Sequence, residues 1–397
     1  MIRLARRDAG VSQQQLGQAC GLSQSAISRL ENARLGAYDM TTLAKAARHL
    51  NIPARLVGLA DHAGSARLEG PVERRNFLAV GAAAVTASPL LPSIAPHAAE
   101  ASSRGATLRV ATAAYRRLDG TAPARDLLEP VLSHLRLTKA LVGESPDEHH
   151  RAHLAAAGSE AASFAGWLCW DLGDLGSART WYGTSIKAAR RVSDPLLGAY
   201  QVGSLAQMEA HVGNTSQSLS LIGNARKRLG SSAPAIADAW LRTIEALAHA
   251  SAGDEQRTDR ALRLASEATH RISNEEAPWP WVFPFNQGKV AAARLSCGAR
   301  LMRPDWVQAG YEAAGPVLDT GHEKQRAQLH IDLAFGHLAA GRLDVAFALA
   351  TRALEVGLRY RSGRTVERAR ALRRSYTSPT PPRVVRDFDD RLHDIYL

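Results

Sequence analysis

At 397 residues, with 45% hydrophobic and 22% charged side chains, the chain excludes a disordered protein and a single ordinary domain; two or three globular domains are expected. Scarce aromatics and abundant alanine favour close-packed helices, and no run of alternating β-branched residues is long enough to found a sheet, so an all-α fold is predicted. The formal charge of +11 is unevenly placed: residues 1–67 hold nine Lys/Arg against four Asp/Glu, whereas residues 68–104 hold three of each. A positive N-terminus suits a polyanion without identifying one. Cys20, Cys169 and Cys297 are far apart and form no CxxC pattern, which speaks for three small buried residues in a reducing compartment rather than a zinc site or a disulfide framework.

The strongest signal is VSQQQLGQACGLSQSAISRLENARLG, residues 11–36. Ser12 is placed to N-cap a helix running to about Cys20, with Leu16, Ala19 and Cys20 facing inward. Gly21 ends it, because the backbone turning there wants a positive φ. Ser23 caps a second helix in which Ile27 and Leu30 are buried and Ala26 is the small residue at the helix contact. Two helices joined by a short glycine turn form a helix-turn-helix, whose second helix enters the DNA major groove N-terminus first.

The run Ser12-Gln13, Leu16, Gly21, Leu22, Ser23, Ile27-Ser28 and Glu31 resembles the phage-repressor-like, or XRE, helix-turn-helix family. That resemblance implies a five-helix lambda-repressor-like domain to roughly Gly58, with MTTLAKAARHLNIP as the fourth helix, Leu43, Ala46, Ala47 and Leu50 inward, and Pro53 opening the last helix. Matched position by position, it places Gln24, Ser25, Ser28 and Arg29 toward base edges, and Gln13, Asn32 and Arg34 near phosphates. The chemistry agrees: Gln reads adenine bidentately and Arg reads guanine, while phosphate contacts set register. Glu31 and Ile27 are expected to be structural. The chain departs from the family twice. Only nine residues precede Gly10, which leaves either a shortened first helix or a start further upstream; and Asn32-Ala33 stands where the family usually has Asn-Gly.

Next comes ERRNFLAVGAAAVTASPLLP, residues 73–92, which resembles a twin-arginine export signal, with a small-x-small site at Ala99-Glu100-Ala101. It follows some 70 residues of expected folded protein, and its uninterrupted run, Phe77–Ser88, falls short of the roughly 20 residues of a membrane helix. Pro89, Pro92 and Pro96 break any continuation. A short helix followed by a proline-rich linker is the better reading. The expected domains are therefore residues 1–67, a linker over 68–105, and residues 106–397.

From about residue 150 the chain reads as helix pairs. With Gly173, Gly213, Gly253, Met302 and Gly341 as hinges, the spacings are 40, 40, 49 and 39 residues. Five residues after each hinge stand Ala178, Ser218, Thr258, Val307 and Ala346, and twelve after stand Ser185, Ala225, Ala265, Ala314 and Ala353. Nine after come Tyr182, Ile222, Leu262, Tyr311 and Ala350. Small residues flanking a bulkier one let a helix nestle against its partner. The array resembles tetratricopeptide repeats, although the usual period is 34 residues, and such arrays imply a right-handed superhelix with a concave binding face. Residues 106–143 add a preceding pair with GTAPARD as its turn, and RTVERARALRRSY and PPRVVRDFDDRLHDIYL are closing helices. The 49-residue interval contains ISNEEAPWPWVFPFNQGK, whose Trp279, Trp281, Phe283 and Phe285 are either binding anchors presented on a loop or plugs between helical pairs. The basic stretch Arg359–Arg374 is expected to be a solvated helical face.

No GxxxxGK(S/T), HExxH or GxSxG motif is present, and Gly288-Lys289-Val290 is no phosphate loop. His149-His150 and His153 lack an acidic companion at ligand spacing, so no metal, cofactor or catalytic residue is predicted. The whole layout resembles actinobacterial XRE regulators with a C-terminal tetratricopeptide-like domain. It implies a cytoplasmic, homodimeric transcriptional regulator that binds double-stranded DNA and is modulated by a peptide, small molecule or protein at its repeats, with no membrane partner. The alternative is an interaction scaffold carrying a degenerate helix-turn-helix.

Overall fold

Helices make up every regular element among the described residues apart from one short 3-10 turn, and no strand occurs. The computed structural model describes residues 2–32, 40–50, 52, 100–145, 147–272, 278–315, 321–393 and 395. The side chains of Leu30 and Leu43, the turn at Asn32-Ala33, the helix expected at Pro53 and the signal-like segment 73–92 fall outside that description. The chain divides into two units, Met1–Ser103 and Arg104–Leu397, each with its own core.

The first unit contains α1 (Ile2–Asp8), α2 (Gln13–Cys20), α3 (Gln24–Asn32) and α4 (Met40–His49). Ser12 caps α2 in a reciprocal box: its hydroxyl accepts from the Gln15 amide at 3.2 Å, and its own amide donates to the Gln15 side chain at 2.8 Å. Gly21 closes α2 with φ 67°, and the Ser23 hydroxyl accepts from the Ala26 amide at the start of α3. Ile2, Leu16, Cys20, Ile27, Ala46 and Ala47 form the core. Ala19, expected to face inward, is exposed; Gly17 occupies the inner stripe of this eight-residue helix instead.

The second unit holds α5 (Glu100–Leu118) from Arg104 onward and α6 (Ala124–Glu144), followed by six further pairs. These are α7 (Glu148–Asp171) with α8 (Leu175–Ala189), α9 (Pro195–His211) with α10 (Thr215–Leu229), and α11 (Ala235–Ser251) with α12 (Glu255–Thr269). Then come α13 (Gln287–Leu301) with α14 (Pro304–Ala313), α15 (Glu323–Ala339) with α16 (Leu343–Arg359), and α17 (Gly363–Arg374) with α18 (Arg383–His393). The expected hinges are real. Gly173, Gly213, Gly253 and Gly341 adopt φ of 86°, 84°, 76° and 73°, and Met302, without glycine's freedom, still takes 53°. Of the fifteen small or bulky positions keyed to these hinges, only Tyr311 is less than fully buried. Asp174, Asp254 and Asn286 cap the helices that follow, each accepting from a backbone amide three residues on.

Helices α7, α9, α11, α13, α15 and α17 each pack on the next, and α17 returns to pack on α7, so the pairs close into a ring with their partners outside. Small residues at the seam permit closure: a Cβ on Gly363 would stand 2.5 Å from the Leu172 carbonyl oxygen. An ionic knot lies beside it. Lys324, 2% exposed, reaches Asp119 at 2.5 Å and Asp171 at 3.0 Å, and the Ser362 hydroxyl donates to Asp171 at 2.6 Å. The concave face expected of an open superhelix is thus the interior of a ring. No described helix is long and apolar enough to cross a membrane.

Candidate functional site

The N-terminus of α3 is the first candidate. A buried ion pair lies beneath it: Arg6 Nε meets Glu31 Oε1 at 2.6 Å, with the Glu31 side chain fully buried. A second guanidinium nitrogen donates to the Val11 carbonyl at 2.6 Å, tying α1 to the start of α2. Gln13 Nε2 donates to Glu31 Oε2 at 2.7 Å, and Gln13 Oε1 accepts from Gln24 Nε2 at 3.0 Å. The charge buried at the base of the domain is therefore relayed to the first residue of α3. The Arg6 guanidinium is held above its ordinary pKa by its hydrogen bond to Glu31.

This relay orients Gln24 and leaves its amide oxygen and one N–H for a partner. Gln24 and Ser25 are exposed, Ser28 is half-buried, and the Ser23 and Ser25 hydroxyls stand 2.9 Å apart. An open cleft bounded by Arg6, Ser12, Gln13, Gln14, Gln18, Leu22, Ser23 and Gln24 runs between α2 and α3. Gln13, predicted to meet a phosphate, spends its side chain largely on Glu31 and Gln24; one Nε2 hydrogen is left for a phosphate. Arg29 and Asn32 lie on α3, but their side chains, and all of Arg34, fall outside the described residues. Sequence reading missed Gly17: a Cβ there would stand 2.7 Å from the Leu22 carbonyl oxygen, so only glycine lets the turn close this tightly.

The aromatic insert is the second candidate, and of the two alternatives, anchors presented on a loop or plugs, its packing fits the plugs for three of the four rings. Trp281 is 9% exposed, wedged against Tyr200 and Trp240 with ring centroids 4.9 and 5.6 Å away, and packed on Ile236 and Ala237. Trp279 donates its indole N–H to Glu160 at 2.9 Å and lies under the Arg109 guanidinium at 3.9 Å. Phe285 is partly buried; Phe283 alone is exposed, at 38%. Arg116 fastens the loop, donating to the Pro280 carbonyl at 2.8 Å, to Glu160 at 3.0 Å and to the Tyr200 hydroxyl. Arg109 and Arg116 come from α5, Glu160 from α7 and Tyr200 from α9, so α5 and the insert together fill part of the ring's interior. The rings act as plugs because the interior demands volume and the loop is tied down through its backbone.

Two further expectations change. Arg359–Arg374 is not uniformly a solvated face: Arg364 and Arg368 turn inward, to the Trp167 and Trp170 rings and to Asp332 respectively. His149 and His153 meet each other, Nε2 to Nε2 at 3.0 Å, and His150 pairs with its own cap residue Asp147. Among the described residues no group of three or more His, Cys, Asp or Glu is placed to hold a metal ion. Cys20, Cys169 and Cys297 are free and buried, and burial pushes the Cys169 and Cys297 thiols up to about 12, which leaves them unreactive.

Comparison with known proteins places the first candidate. The Helix-turn-helix family model matches residues 2–57, the span that holds α1 to α4. No curated protein matches the chain. Among solved structures the chain is similar to the crystal structure of BtubC (BKLC) from P. vanneervenii, at 20% identity over 64% of this chain and 95% of that one, with a TM-score of 0.39. The N-terminal unit thus carries an XRE-type helix-turn-helix, which supports a DNA-binding regulator.

Proposed function

We propose that the chain is a sequence-specific transcriptional regulator whose helix-turn-helix reads DNA through Gln24, Ser25, Ser28 and Arg29 at the N-terminal half of α3. The observation that supports this most directly is the Arg6–Glu31–Gln13–Gln24 relay, which fixes an exposed amide at the position where a helix enters the major groove. A module that had lost DNA binding would have no use for holding that amide in place. Two such units bind half-sites about one helical turn apart as a homodimer. The C-terminal ring is the sensing half, a tetratricopeptide-like domain that binds a small molecule, peptide or protein and shifts the spacing of the readers. Such control requires a ligand that binds the two arrangements with different affinity. The protein works in the cytoplasm and needs no catalytic group or cofactor.

Selection of sites from random duplexes by the full-length chain tests the reading. Inverted half-sites about 10 base pairs apart centre to centre should be enriched. Failure to enrich any sequence, with a folded protein, leaves the scaffold reading in its place.

A further inference from the structure

Five helices of the ring bring arginines, a histidine and aromatic rings together. Arg300 from α13 donates to His211 Nδ1 of α9 at 3.2 Å, a contact that crosses the interior past α11. The His211 ring lies 5.1 Å from the Trp170 ring of α7, and Arg364 of α17 stacks over Trp170 and Trp167 at 4.7 and 4.6 Å. Arg368, also of α17, sits over Phe335 of α15 at 4.2 Å. The carboxylates within reach are already engaged. Asp332 accepts from Arg368 at 2.6 Å and from Ser296 at 2.6 Å, while Asp171 accepts from Lys324 at 3.0 Å and from Ser362 at 2.6 Å. Arg364 reaches Asp171 only at 3.6 Å, and its buried Nε has no hydrogen-bond partner. Arg300 has no carboxylate within 4 Å among the described residues; besides His211 it meets only the Ser296 carbonyl, at 3.1 Å.

From this convergence we infer that the ring interior holds a binding site for an oxyanion, a carboxylate or phosphate carried by a small molecule, gripped by Arg300 and Arg364 with His211 between them. Both guanidinium groups are half-buried and neither donates to a carboxylate, so an anion would add charge-assisted hydrogen bonds to a planar fork that is partly withdrawn from water. His211 adds one further donor to the guanidinium groups. Burial and then Arg300, Arg364 and Arg368 hold its pKa well below 6.5, so the ring is neutral; with Nδ1 accepting from Arg300, its Nε2 carries the hydrogen. Burial and then Arg368 lower Arg300 itself to about 10, against the smaller opposing pull of Asp332. The site gives chemical content to the sensing half proposed above and rests on that reading only for its regulatory consequence.

Thermal unfolding of the full chain tests the site without DNA. Titration with sodium phosphate or sodium acetate, against sodium chloride at equal ionic strength, should raise Tm by about 3–6 °C per tenfold increase above half-saturation for at least one oxyanion. Which of the two acts tells phosphate from carboxylate. Arg300→Met should abolish the response, and without oxyanion it should melt at the same temperature as the parent or higher, because a burdened cation is gone. Arg300→Lys should keep a weakened response. No oxyanion-specific rise in the parent, or an unchanged rise in Arg300→Met, overturns the site. If oxyanion raises Tm through Arg300 yet leaves affinity for the selected DNA unchanged, the site stands and the regulatory reading fails.

Discussion

Glu31 shows how one residue can be legible and still be underestimated. Its place in the family pattern marks it as structural, and the structure makes it the hub between Arg6 and Gln13. What sequence does not reveal is that its partner lies 25 residues earlier, because ion pairs leave no local periodicity. Removing one member of a buried pair strands the other, so Glu31→Ala should destabilise the N-terminal unit by about 3–5 kcal/mol. Melting of the variant checks this: the first unit should unfold well below the parent, while the ring's transition stays put. Glu160 had a readable signal that was passed over. It is the only charged residue between His153 and Asp171, and a lone charge in an apolar helix must be paired. Its partners, Arg116 and Trp279, are 44 and 119 residues away.

Among the elements, the hairpins were readable and the closure was not. Left-handed turn residues and small contact residues recur at fixed offsets, so Gly173, Gly213, Gly253 and Gly341 announce their turns, and Met302 could be placed by spacing alone. The seam between α17 and α7 depends on how rotation accumulates over six pairs, which no single repeat encodes. Its contacts link Lys324 to residues 205 and 153 positions away. The insert stays open in sequence for the same reason: four aromatic residues on a proline-rich loop suit a plug or an anchor until the surrounding space is known. Lys324→Met would leave Asp119 and Asp171 facing each other with one fewer cation, and Trp167 and Ser362 cannot neutralise them. The ring should lose about 3–5 kcal/mol, and hydrogen exchange should speed up first at the ends of α7 and α17. Loss of stability spread evenly over the ring, or none, would show that the seam does not hold it closed.

Across the whole molecule, a small basic module that presents polar side chains at a helix N-terminus is joined to a larger ring with an interior of paired and unpaired charge. The all-helical class was readable because helix signals are local and dense. The placement of Gln24, Ser25 and Ser28 in the first half of α3 was readable because the helix-turn-helix constrains a short contiguous stretch. The interior site was not, since its residues come from five helices spread over some 200 positions, and Arg364 and Arg368 look on paper like part of a solvated basic run. The central claim is that α3 reads bases through Gln24, and its sharpest test compares two affinities of one variant. Gln24→Ala should bind the selected half-site more weakly by about 1–3 kcal/mol while its affinity for an unrelated duplex at the same salt stays unchanged. Equal weakening on both duplexes, or none on either, would contradict it.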